Sequence, residues 1–416
     1  MMTLSFYPRY LQERLLEALQ DSPVVLLHGP RQCGKTTLTQ RLGAEIDYDC
    51  ITFDDDLQRA AAQADPMGYV ADLPRRVVLD EVQRVPEIFT SLKAQIDRQR
   101  EPGRFILTGS ANVLLVPRLA DSLAGRIEIL RLHPLAQAEL RRVPNAFLNR
   151  LFAADFRAGP CGKRLGKELA QHIVTGGFPA ALARTSPHRR SAWYRNYADT
   201  LLQRDIRELA RIAALDALPR LLSLAAGQTA RLLNVTDLAA PFHISRPTIR
   251  EYLTLLMRIF VLEELPPWHS NLLKRLIKTP KLHMGDTGLA CALLGVDVDA
   301  LWADRALLGR LLETFVFQEL RRLASWRCEA TAFSHFRDKD QVEVDLVLES
   351  AGKTAGVEVK AAATVTADDF KGLRKLRDAL GSRFAAGVVL YDGEAVVGFG
   401  AGLYAVPVSQ LWATPV

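Results

Sequence analysis

The stretch LLHGPRQCGKTTLTQRL, residues 26–42, decides how the amino-terminal part of this chain folds. Gly29, Gly34, Lys35 and Thr36 match the spacing G-x-x-x-x-G-K-[ST], in which backbone N–H groups surround phosphate oxygens and the lysine reaches the terminal phosphates. The apolar run PVVLL before the first glycine is typical of a buried parallel strand, and KTTLTQRL is typical of a helix. A strand, a glycine loop and a helix in this order predict a nucleotide-binding loop.

The residues of this loop are the predicted ligands of ATP, whose phosphates their backbone N–H groups would hold. They are Gly29, Pro30, Arg31, Gln32, Cys33, Gly34, Lys35, Thr36 and Thr37. Thr36 is expected to coordinate the Mg²⁺ ion that accompanies ATP, since a hydroxyl at this position is the usual protein ligand of that ion. Lys35 is also a candidate catalytic residue, because its ammonium group would face the terminal phosphates.

Four further apolar, β-branched segments follow the loop, separated by helical patterns. They are residues 49–56, 75–82, 104–112 and 126–135. This alternation of strands and helices predicts an α/β fold with a parallel, doubly wound sheet. We expect a P-loop ATPase of the type in which an extra strand lies between the strand before the loop and the strand VVLD.

Two carboxylates, Asp80 and Glu81, lie at the end of the strand VVLD, at the sheet edge where open α/β folds bind their ligands. Asp80 is expected to hold Mg²⁺ through water, while Thr36 coordinates the ion directly. Glu81 then has a separate task. A carboxylate beside the γ-phosphate can orient and polarise the attacking water, which ATP hydrolysis requires.

The next two strands carry further candidates for catalysis. The segment FILTGSAN has three polar residues near its end, Thr108, Ser110 and Asn112, any of which could sense phosphate or water. Of these three, Ser110 is included among the candidate catalytic residues. Arg126 precedes the following strand. It is expected either to stabilise transition-state charge, in its own subunit or across an interface, or to be a surface arginine.

Composition and charge limit the remaining possibilities. The chain has 416 residues, 49% of them hydrophobic, and a net charge of +6, which indicates several globular domains and permits a polyanionic partner without requiring one. Its five cysteines are scattered, as in a reducing compartment. Neither a signal peptide nor an apolar run long enough for a membrane span is evident. We therefore expect a cytoplasmic protein without a membrane partner.

Several segments together resemble a family of bacterial and archaeal AAA-type ATPases. They are GPRQCGKTTL, LDEVQRVPEIFTSLK, ILTGSANVLL, LAGRIEILRLHPLAQAEL, GGFPAAL, LLQRDI, KTPKLHMGDTGLA and LLETFVFQEL. The resemblance covers nearly the whole chain and implies four parts in this order: an ATPase core, a helical segment, a winged helix and a domain similar to restriction endonucleases. We place them at residues 1–145, 146–215, 216–285 and 286–416, with the helical segment as a lid over the nucleotide.

The segment NVTDLAAPFHISRPTIREYLTLLMRIFVLEEL has the pattern helix, turn, helix. Arg246, Thr248 and Arg250 are expected to face outward from the first turn of the second helix, where a recognition helix meets DNA. VLEELPPW and KTPKLHMGD would pair as a wing, and the segment between them carries three cations that can neutralise phosphates. These are Lys274, Arg275 and Lys278. The alternative is a winged helix that contacts protein.

Two strands near the carboxyl terminus, QVEVDLVLES and AGVEVKAA, carry a second candidate site. Alternation with period two allows Asp345, Glu358 and Lys360 to converge, a pattern that resembles the core of restriction-endonuclease-like nucleases. Asp345 and Glu358 would bind Mg²⁺, and Lys360 would position water. The resemblance adds Glu313 from the preceding helix, with Glu319 in reserve. The alternative is a degenerate nuclease fold kept for binding.

These features favour a Mg²⁺-dependent ATPase that couples nucleotide turnover to work on nucleic acid, DNA more than RNA, with a homo-oligomer also among the expected assemblies. One alternative is a regulatory or scaffold protein in which ATP switches assembly states and the distal domains bind protein. Another is a nucleotide-sensing effector whose nuclease is released by ATP binding.

Overall fold

The computed structural model describes residues 6–110, 125–143, 146–209, 216–269 and 279–413. It divides the chain into two compact units. The first unit comprises Arg9–Leu135 together with Arg258–Phe260, and the second contains Ala136–Met257 and Val261–Val416, with the first eight residues. The boundaries expected at residues 145, 215 and 285 stay predictions. Among the described residues, no helix has both the length and the apolar character that crossing a bilayer demands.

The first unit alternates helices and strands. In chain order these are α1 (Leu11–Asp21), β1 (Val24–His28), α2 (Lys35–Ile46), β2 (Asp49–Thr52), α3 (Asp56–Ala64), α4 (Pro66–Ala71), β3 (Val77–Asp80), α5 (Ile88–Arg98), β4 (Phe105–Gly109) and β5 (Ile127–Arg131). Side-chain caps start two of these helices. Asp55, for example, accepts hydrogen bonds from the N–H groups of Leu57 and Gln58 and so starts α3.

The strands of the first unit form a parallel sheet in the order β2-β3-β4-β1-β5. β4 lies between β1 and β3, which confirms the extra strand expected between the loop strand and VVLD. β1, β3 and β4 are buried along their whole length, as their continuous apolar sequences require for strands covered on both faces. All five strands point the same way, so His28, Asp80 and Gly109 end at one edge of the sheet.

The second unit begins with a helical part and a small sheet. The elements are α6 (Gln137–Arg141), α7 (Phe147–Ala153), β6 (Gly159–Pro160), α8 (Lys167–Thr175), α9 (Pro179–Leu182), α10 (Pro187–Thr200), α11 (Ile206–Leu209), α12 (Ala217–Gly227), β7 (Arg231–Leu232), α13 (Val235–Ala239), α14 (Arg246–Arg258), β8 (Leu262–Leu265) and β9 (Lys281–Met284). β7, β9 and β8 pair antiparallel with β9 in the centre. Ser245 accepts a hydrogen bond from Thr248 N–H at 3.3 Å, which starts α14 where the sequence predicted.

The rest of the second unit surrounds a larger mixed sheet. Its elements are α15 (Thr287–Leu294), α16 (Val298–Ala303), α17 (Arg305–Ser325), β10 (Ala332–Arg337), β11 (Glu343–Ser350), β12 (Lys353–Lys360), α18 (Lys371–Leu380), β13 (Phe384–Tyr391), β14 (Ala395–Gly398) and β15 (Leu403–Pro407). The strand order is β10-β11-β12-β13-β15-β14-β6. α18 packs tightly on β11, because a Cβ atom at Gly372 would lie 1.9 Å from the carbonyl oxygen of Glu343.

Candidate functional site

The phosphate-loop sequence connects β1 to α2 through a tight turn that requires glycine. A Cβ atom at Gly29 would lie 2.1 Å from the carbonyl oxygen of Leu132, and Gly34 has φ of 104° just before the helix. Lys35, the first residue of α2, is buried. Its ammonium group donates to the carbonyl oxygens of Gly29 at 3.0 Å and Pro30 at 3.1 Å. These hydrogen-bond partners carry no net charge, so phosphate oxygens can take their place around the ammonium.

A buried arginine that sequence reasoning missed supports the underside of the loop. The guanidinium of Arg9 donates to the carbonyl oxygens of Cys33 at 2.7 Å and His133 at 2.6 Å. The thiol of Cys33 in turn reaches the carbonyl oxygen of Leu132 at 3.4 Å. Arg9 therefore ties the loop to the segment that follows β5. No local motif marks it, since its partners lie 24 and 124 residues away.

The predicted Mg²⁺ ligands lie together at the carboxyl edge of the sheet. The hydroxyl of Thr36 is 3.0 and 3.1 Å from the two carboxylate oxygens of Asp80, and Thr108 Oγ1 donates to Asp80 Oδ1 at 2.5 Å. Burial raises the pKa of Asp80, partly opposed by the Thr108 hydrogen bond, and the neighbouring charge of Glu81 raises it further. A hydroxyl and a carboxylate at this separation are suitable ligands for Mg²⁺ bound with ATP.

Glu81 is held in place by polar neighbours. It follows β3 with a left-handed backbone, φ 59°, and its N–H donates to Thr108 Oγ1 at 3.1 Å. Ser110 donates to Glu81 Oε2 at 2.8 Å, and the Gln83 amide donates to the same oxygen. Burial alone would raise the pKa of Glu81, but the charge of Lys35 and these two hydrogen bonds outweigh it and lower the pKa. Glu81 is therefore ionised at neutral pH, as a water-orienting base must be.

Two of the three candidates at the end of β4 thus have different partners: Ser110 contacts Glu81, and Thr108 contacts Asp80. Asn112, the third, lies outside the described residues. Gln83 was not among the predicted residues. Its position two residues after Glu81 in LDEVQR could have indicated that it lies near that carboxylate.

Arg126 does not join this site within its own subunit. Ile127 pairs with Val24 at the start of β1, so Arg126 lies at the amino edge of the parallel sheet, opposite the loop. Its guanidinium forms a two-point ion pair with Asp97, at 2.5 and 3.1 Å. The expectation of a finger acting in its own subunit is corrected on this ground. A role across an interface stays a prediction.

Arg131, at the other end of β5, was missed. It pairs in register with His28, the last residue of β1, and therefore lies at the carboxyl edge. Its guanidinium stands over the Phe260 ring at 4.7 Å. Burial, with the nearby charges of Arg131 and Lys35, lowers the pKa of His28 to about 3. His28 is consequently neutral beside a positively charged loop.

In the second unit the structure brings together the carboxylates that the sequence singled out. Leu346 pairs with Val357 in the antiparallel β11–β12 ladder, which places Asp345 opposite Glu358. The N–H of Val359 donates to Asp345 Oδ2 at 3.0 Å. Lys360 lies 3.0 Å from Glu358 Oε1. Period-two alternation therefore predicted this convergence correctly.

A lysine from another strand lies among these carboxylates. Lys281, the first residue of β9, is buried, and its ammonium is 2.7 Å from Glu313 Oε1 and 3.1 Å from Asp345 Oδ1. We call Glu313, Asp345, Glu358, Lys281 and Lys360 the carboxylate cluster. The family resemblance implied Glu313 but not Lys281, which lies 64 residues before Asp345 and carries no local signal.

Burial and mutual repulsion dominate the titration of the cluster. Burial and then the charge of Asp345 raise the pKa of Glu313 well above its usual range, and the same two causes raise the pKa of Glu358 to about 8. For Lys281, burial opposes the charged form, but Asp345 and Glu313 outweigh it and raise the pKa. Lys281 is therefore protonated.

One prediction about this region is corrected and another stays a prediction. Within the described residues, no group of three or more His, Cys, Asp or Glu side chains is arranged to hold a metal ion. The Mg²⁺ pair of Asp345 and Glu358 stays a prediction. Glu319, held in reserve, does not belong to the cluster. It accepts hydrogen bonds from Arg322 at 2.6 Å and from the N–H of Gln137 at 2.9 Å, and is a buried structural carboxylate.

The candidate nucleic-acid contacts on α14 have different surroundings. Arg246 is exposed at the start of the helix. The Thr248 hydroxyl is 2.8 Å from that of Ser245, and Arg250 pairs with Glu264 at 2.6 Å. An engaged Arg250 leaves Arg246 as the better placed of the two arginines for a phosphate. The predicted wing cations, Lys274, Arg275 and Lys278, lie outside the described residues.

Comparison with protein families divides the chain into three matched stretches. Residues 21–141 match an AAA domain, residues 166–300 a domain of unknown function (DUF8612), and residues 308–411 a domain of unknown function (DUF4143). The first match confirms the expected AAA-type ATPase.

Two curated relatives are similar over most of the chain. They are the uncharacterized proteins Rv2008c of Mycobacterium tuberculosis and Mb2031c of Mycobacterium bovis, each 32% identical over 404 residues, covering 96% of this chain and 83% of theirs.

Solved structures are similar at a lower level. The Walker-type ATPase PABY2304 of Pyrococcus abyssi shares 18% identity with a TM-score of 0.45, over 70% of this chain and 97% of that one. The Holliday junction branch migration motor RuvB of Thermotoga maritima shares 20% identity with a TM-score of 0.30, over 62% and 89%. The P-loop fold itself follows from the strand order, the loop geometry and the AAA-domain match. On these grounds the chain is an AAA-domain P-loop ATPase and belongs to one family with the uncharacterized proteins Rv2008c and Mb2031c.

Proposed function

We propose that this protein is a Mg²⁺-dependent ATPase that uses ATP hydrolysis to act on nucleic acid, DNA more than RNA. The observation that carries the first half is the arrangement at the carboxyl edge of the sheet. There a buried Lys35, a Thr36–Asp80 pair and an ionised Glu81 lie together. P-loop ATPases need these three elements to hold the phosphates, hold the metal and orient water.

Each residue has a separate task in the proposed reaction. Lys35 would exchange its carbonyl partners for phosphate oxygens of ATP. Thr36 and Asp80 would hold Mg²⁺, which would supply positive charge beside those phosphates. Glu81 accepts a hydrogen bond from the attacking water and orients it. Ser110 and Gln83 both donate to Glu81 Oε2, so Oε1 is the oxygen we assign to that water.

Two substitutions test the ATPase assignment. Lys35→Ala is expected to abolish ATP binding, because the phosphates lose their buried cation. Glu81→Gln is expected to keep ATP affinity and lower turnover by about 10²–10⁴, since the amide cannot act as a base. A fluorescent ATP analogue reports binding, and phosphate release reports turnover. Glu45→Gln, on the surface of α2, is the matched control. Unchanged ATP affinity in Lys35→Ala would overturn the assignment.

The second half of the proposal has two supports. α12, β7, α13, α14, β8 and β9 follow one another in the order that a winged helix requires, with a three-stranded antiparallel sheet. At the start of α14, in the position of a recognition helix, Arg246 is exposed to solvent. The contribution of the wing cations to this proposal rests on the sequence alone.

Charge removal at the wing tests nucleic-acid binding. Replacing Lys274, Arg275 and Lys278 together by alanine is expected to weaken duplex DNA binding about equally across sequences and to flatten its salt dependence, by about one unit of slope for each phosphate that is no longer neutralised. Alanine at three exposed positions elsewhere, Arg75, Arg195 and Arg383, is the control. The same titration with RNA compares the two nucleic acids. A salt dependence equal to that of the unaltered protein contradicts this half.

A second candidate function is favoured by Lys281. Its ion pairs with Glu313 and Asp345 fit a nuclease-like fold that does not cut, in a regulatory or scaffold protein switched by ATP. This candidate predicts that ATP turnover is the same with and without DNA or RNA. Stimulation of turnover by DNA would favour the first proposal.

A further inference from the structure

The resemblance to restriction-endonuclease-like nucleases implies a divalent metal between Asp345 and Glu358, with Glu313 nearby. The donor atoms of the cluster do not fit that role, because they are already engaged. Glu313 Oε1 and Asp345 Oδ1 both accept from the ammonium of Lys281, at 2.7 and 3.1 Å. Asp345 Oδ2 accepts the N–H of Val359 at 3.0 Å.

The third carboxylate is engaged in the same way. Glu358 Oε1 lies 3.0 Å from the ammonium of Lys360, and Oε2 is 3.4 Å from the N–H of Asp345. Five oxygens of the three carboxylates therefore face N–H donors. A Mg²⁺ or Mn²⁺ ion needs the lone pairs of several oxygens at once, and here the lysine ammonium lies among them.

We propose that Lys281 is the resident cation of the carboxylate cluster, and that its ammonium replaces the divalent metal that this pattern of carboxylates would otherwise bind. The cluster then joins β9, α17 and the β11–β12 hairpin without metal. The C-terminal domain does not cut nucleic acid by metal-dependent chemistry. This proposal stands independently of the ATPase proposed above.

The position of Lys281 is fixed by the strand that carries it. β9 is the central strand of its sheet, and Lys281 pairs with Leu232 on one side and Leu265 on the other. Two residues later the His283 ring nitrogen Nδ1 lies 3.0 Å from the hydroxyl of Thr314, next to Glu313 on α17. A lysine anchored in this way and only 5% exposed at its side chain is not a surface tail that swings aside.

Electrostatics oppose an exchange of Lys281 for a metal ion. A divalent ion that entered beside the ammonium would meet a like charge at a few ångströms in a poorly solvated site. Moving the ammonium away instead would separate a buried charge from both of its carboxylate partners. Removing the positive charge of Lys281, however, frees oxygens of both Glu313 and Asp345 for a metal.

Mn²⁺ binding to the full-length protein without nucleotide, followed by the electron paramagnetic resonance of free Mn²⁺, tests the proposal. We expect the unaltered protein and Asp345→Asn to bind Mn²⁺ equally weakly. Lys281→Met is expected to gain at least about tenfold in Mn²⁺ affinity, equivalent to about 1.4 kcal/mol. The double variant Lys281→Met, Asp345→Asn is expected to lose that gain, and Lys353→Met, an exposed lysine at the start of β12, is the control.

Two results would overturn the proposal. One is saturable Mn²⁺ binding by the unaltered protein that Asp345→Asn removes. The other is a folded Lys281→Met that gains no affinity. If Lys281→Met does not fold, the comparison of the unaltered protein with Asp345→Asn still decides. Plasmid cleavage that depends on Mg²⁺ and is lost in Lys360→Ala would also contradict it.

Discussion

Two buried lysines, one in each unit, show how partners decide what a buried charge does. Lys35 and Lys281 are each 4% exposed. Lys35 donates to two backbone carbonyls, whereas Lys281 donates to two carboxylates. The first ammonium has neutral hydrogen-bond partners, and it lies close enough to Glu81 to lower the pKa of that carboxyl, so it can still bind an anionic ligand. The second is neutralised by the protein itself and needs no ligand, so burial and residue type alone do not identify a binding site.

The largest expected effect is the difference in stability between the variants in which Lys281 or Lys35 is replaced by methionine. Lys281→Met leaves two buried carboxylates without their cation, which is expected to lower the free energy of unfolding by about 3–5 kcal/mol. Lys35→Met removes a buried charge whose hydrogen-bond partners are neutral but which also stabilises ionised Glu81, and is expected to lower it by a smaller amount, about 1–2 kcal/mol. Urea denaturation of both variants without nucleotide measures the difference. Equal losses would break the comparison.

The next prediction concerns the support of the phosphate loop. Arg9→Ala removes two charged hydrogen bonds to backbone carbonyls, and is expected to weaken ATP binding by about 1.5–3 kcal/mol, roughly 10- to 150-fold. Arg9→Lys should recover part of this loss, because an ammonium can still donate to one carbonyl.

Arg41→Ala is the matched control for Arg9. Arg41 is an exposed residue of α2 that pairs with Glu45 one turn later, an interaction worth about 0.3–0.5 kcal/mol. Titration with a fluorescent ATP analogue measures affinity, and circular dichroism checks folding. Equal affinities in Arg9→Ala and Arg41→Ala would refute a supporting role for Arg9.

The burial of His28, with the nearby charges of Arg131 and Lys35, should also be visible in the pH dependence of stability. The pKa of His28 is about 3 in the folded protein and 6.5 in the unfolded chain, so only the unfolded chain gains a proton as pH falls through 6.5. Stability from this residue is full above pH 6.5 and is lost as pH falls toward 3. At pH 5 the expected loss is about 2 kcal/mol.

His28→Leu removes this group and should reduce the fall in unfolding free energy between pH 7 and pH 5 by that amount. Leucine at His188, an exposed histidine, is the control and should leave the fall unchanged. Urea denaturation across this pH range provides the measurement. A slope that is the same in His28→Leu and the unaltered protein contradicts the assignment.

The smallest expected effect is that of Arg126→Ala. Because Arg126 pairs with Asp97 at the amino edge of the sheet, ATP turnover should stay within about twofold of the unaltered protein, as for other surface ion pairs. ATP turnover is measured at increasing protein concentration, so that any oligomer that forms is also tested. A loss of about 10³ would instead identify an arginine finger acting across an interface.

The fate of individual predictions shows what local sequence contains. The period-two pattern placed Asp345 and Glu358 on facing strands, and continuous apolar runs located β1, β3 and β4, since these periods follow from backbone geometry. The sequence also indicated which arginine lies at each end of β5, because Arg126 precedes the strand and Arg131 is its last residue. Ligand-binding edges collect residues that follow strands, so Arg131 was the better candidate by position.

Lys281 and Arg9 had no comparable signal. Each reaches partners that are distant in the chain, such as Asp345 64 residues after Lys281 and His133 124 residues after Arg9. No helical or strand period links such positions. The net charge of a site depends on these contacts, and the cation beside Glu313 and Asp345 comes from another strand.

The amino-acid sequence by itself determined the phosphate loop, the α/β alternation and the residues that end each strand, because glycine requirements and side-chain periodicity are local properties of the chain. The tertiary structure alone decided which lysine meets carbonyls and which meets carboxylates. That choice depends on electrostatic neutralisation between strands and helices brought together by folding, and it separates a site that awaits a ligand from one that is already satisfied.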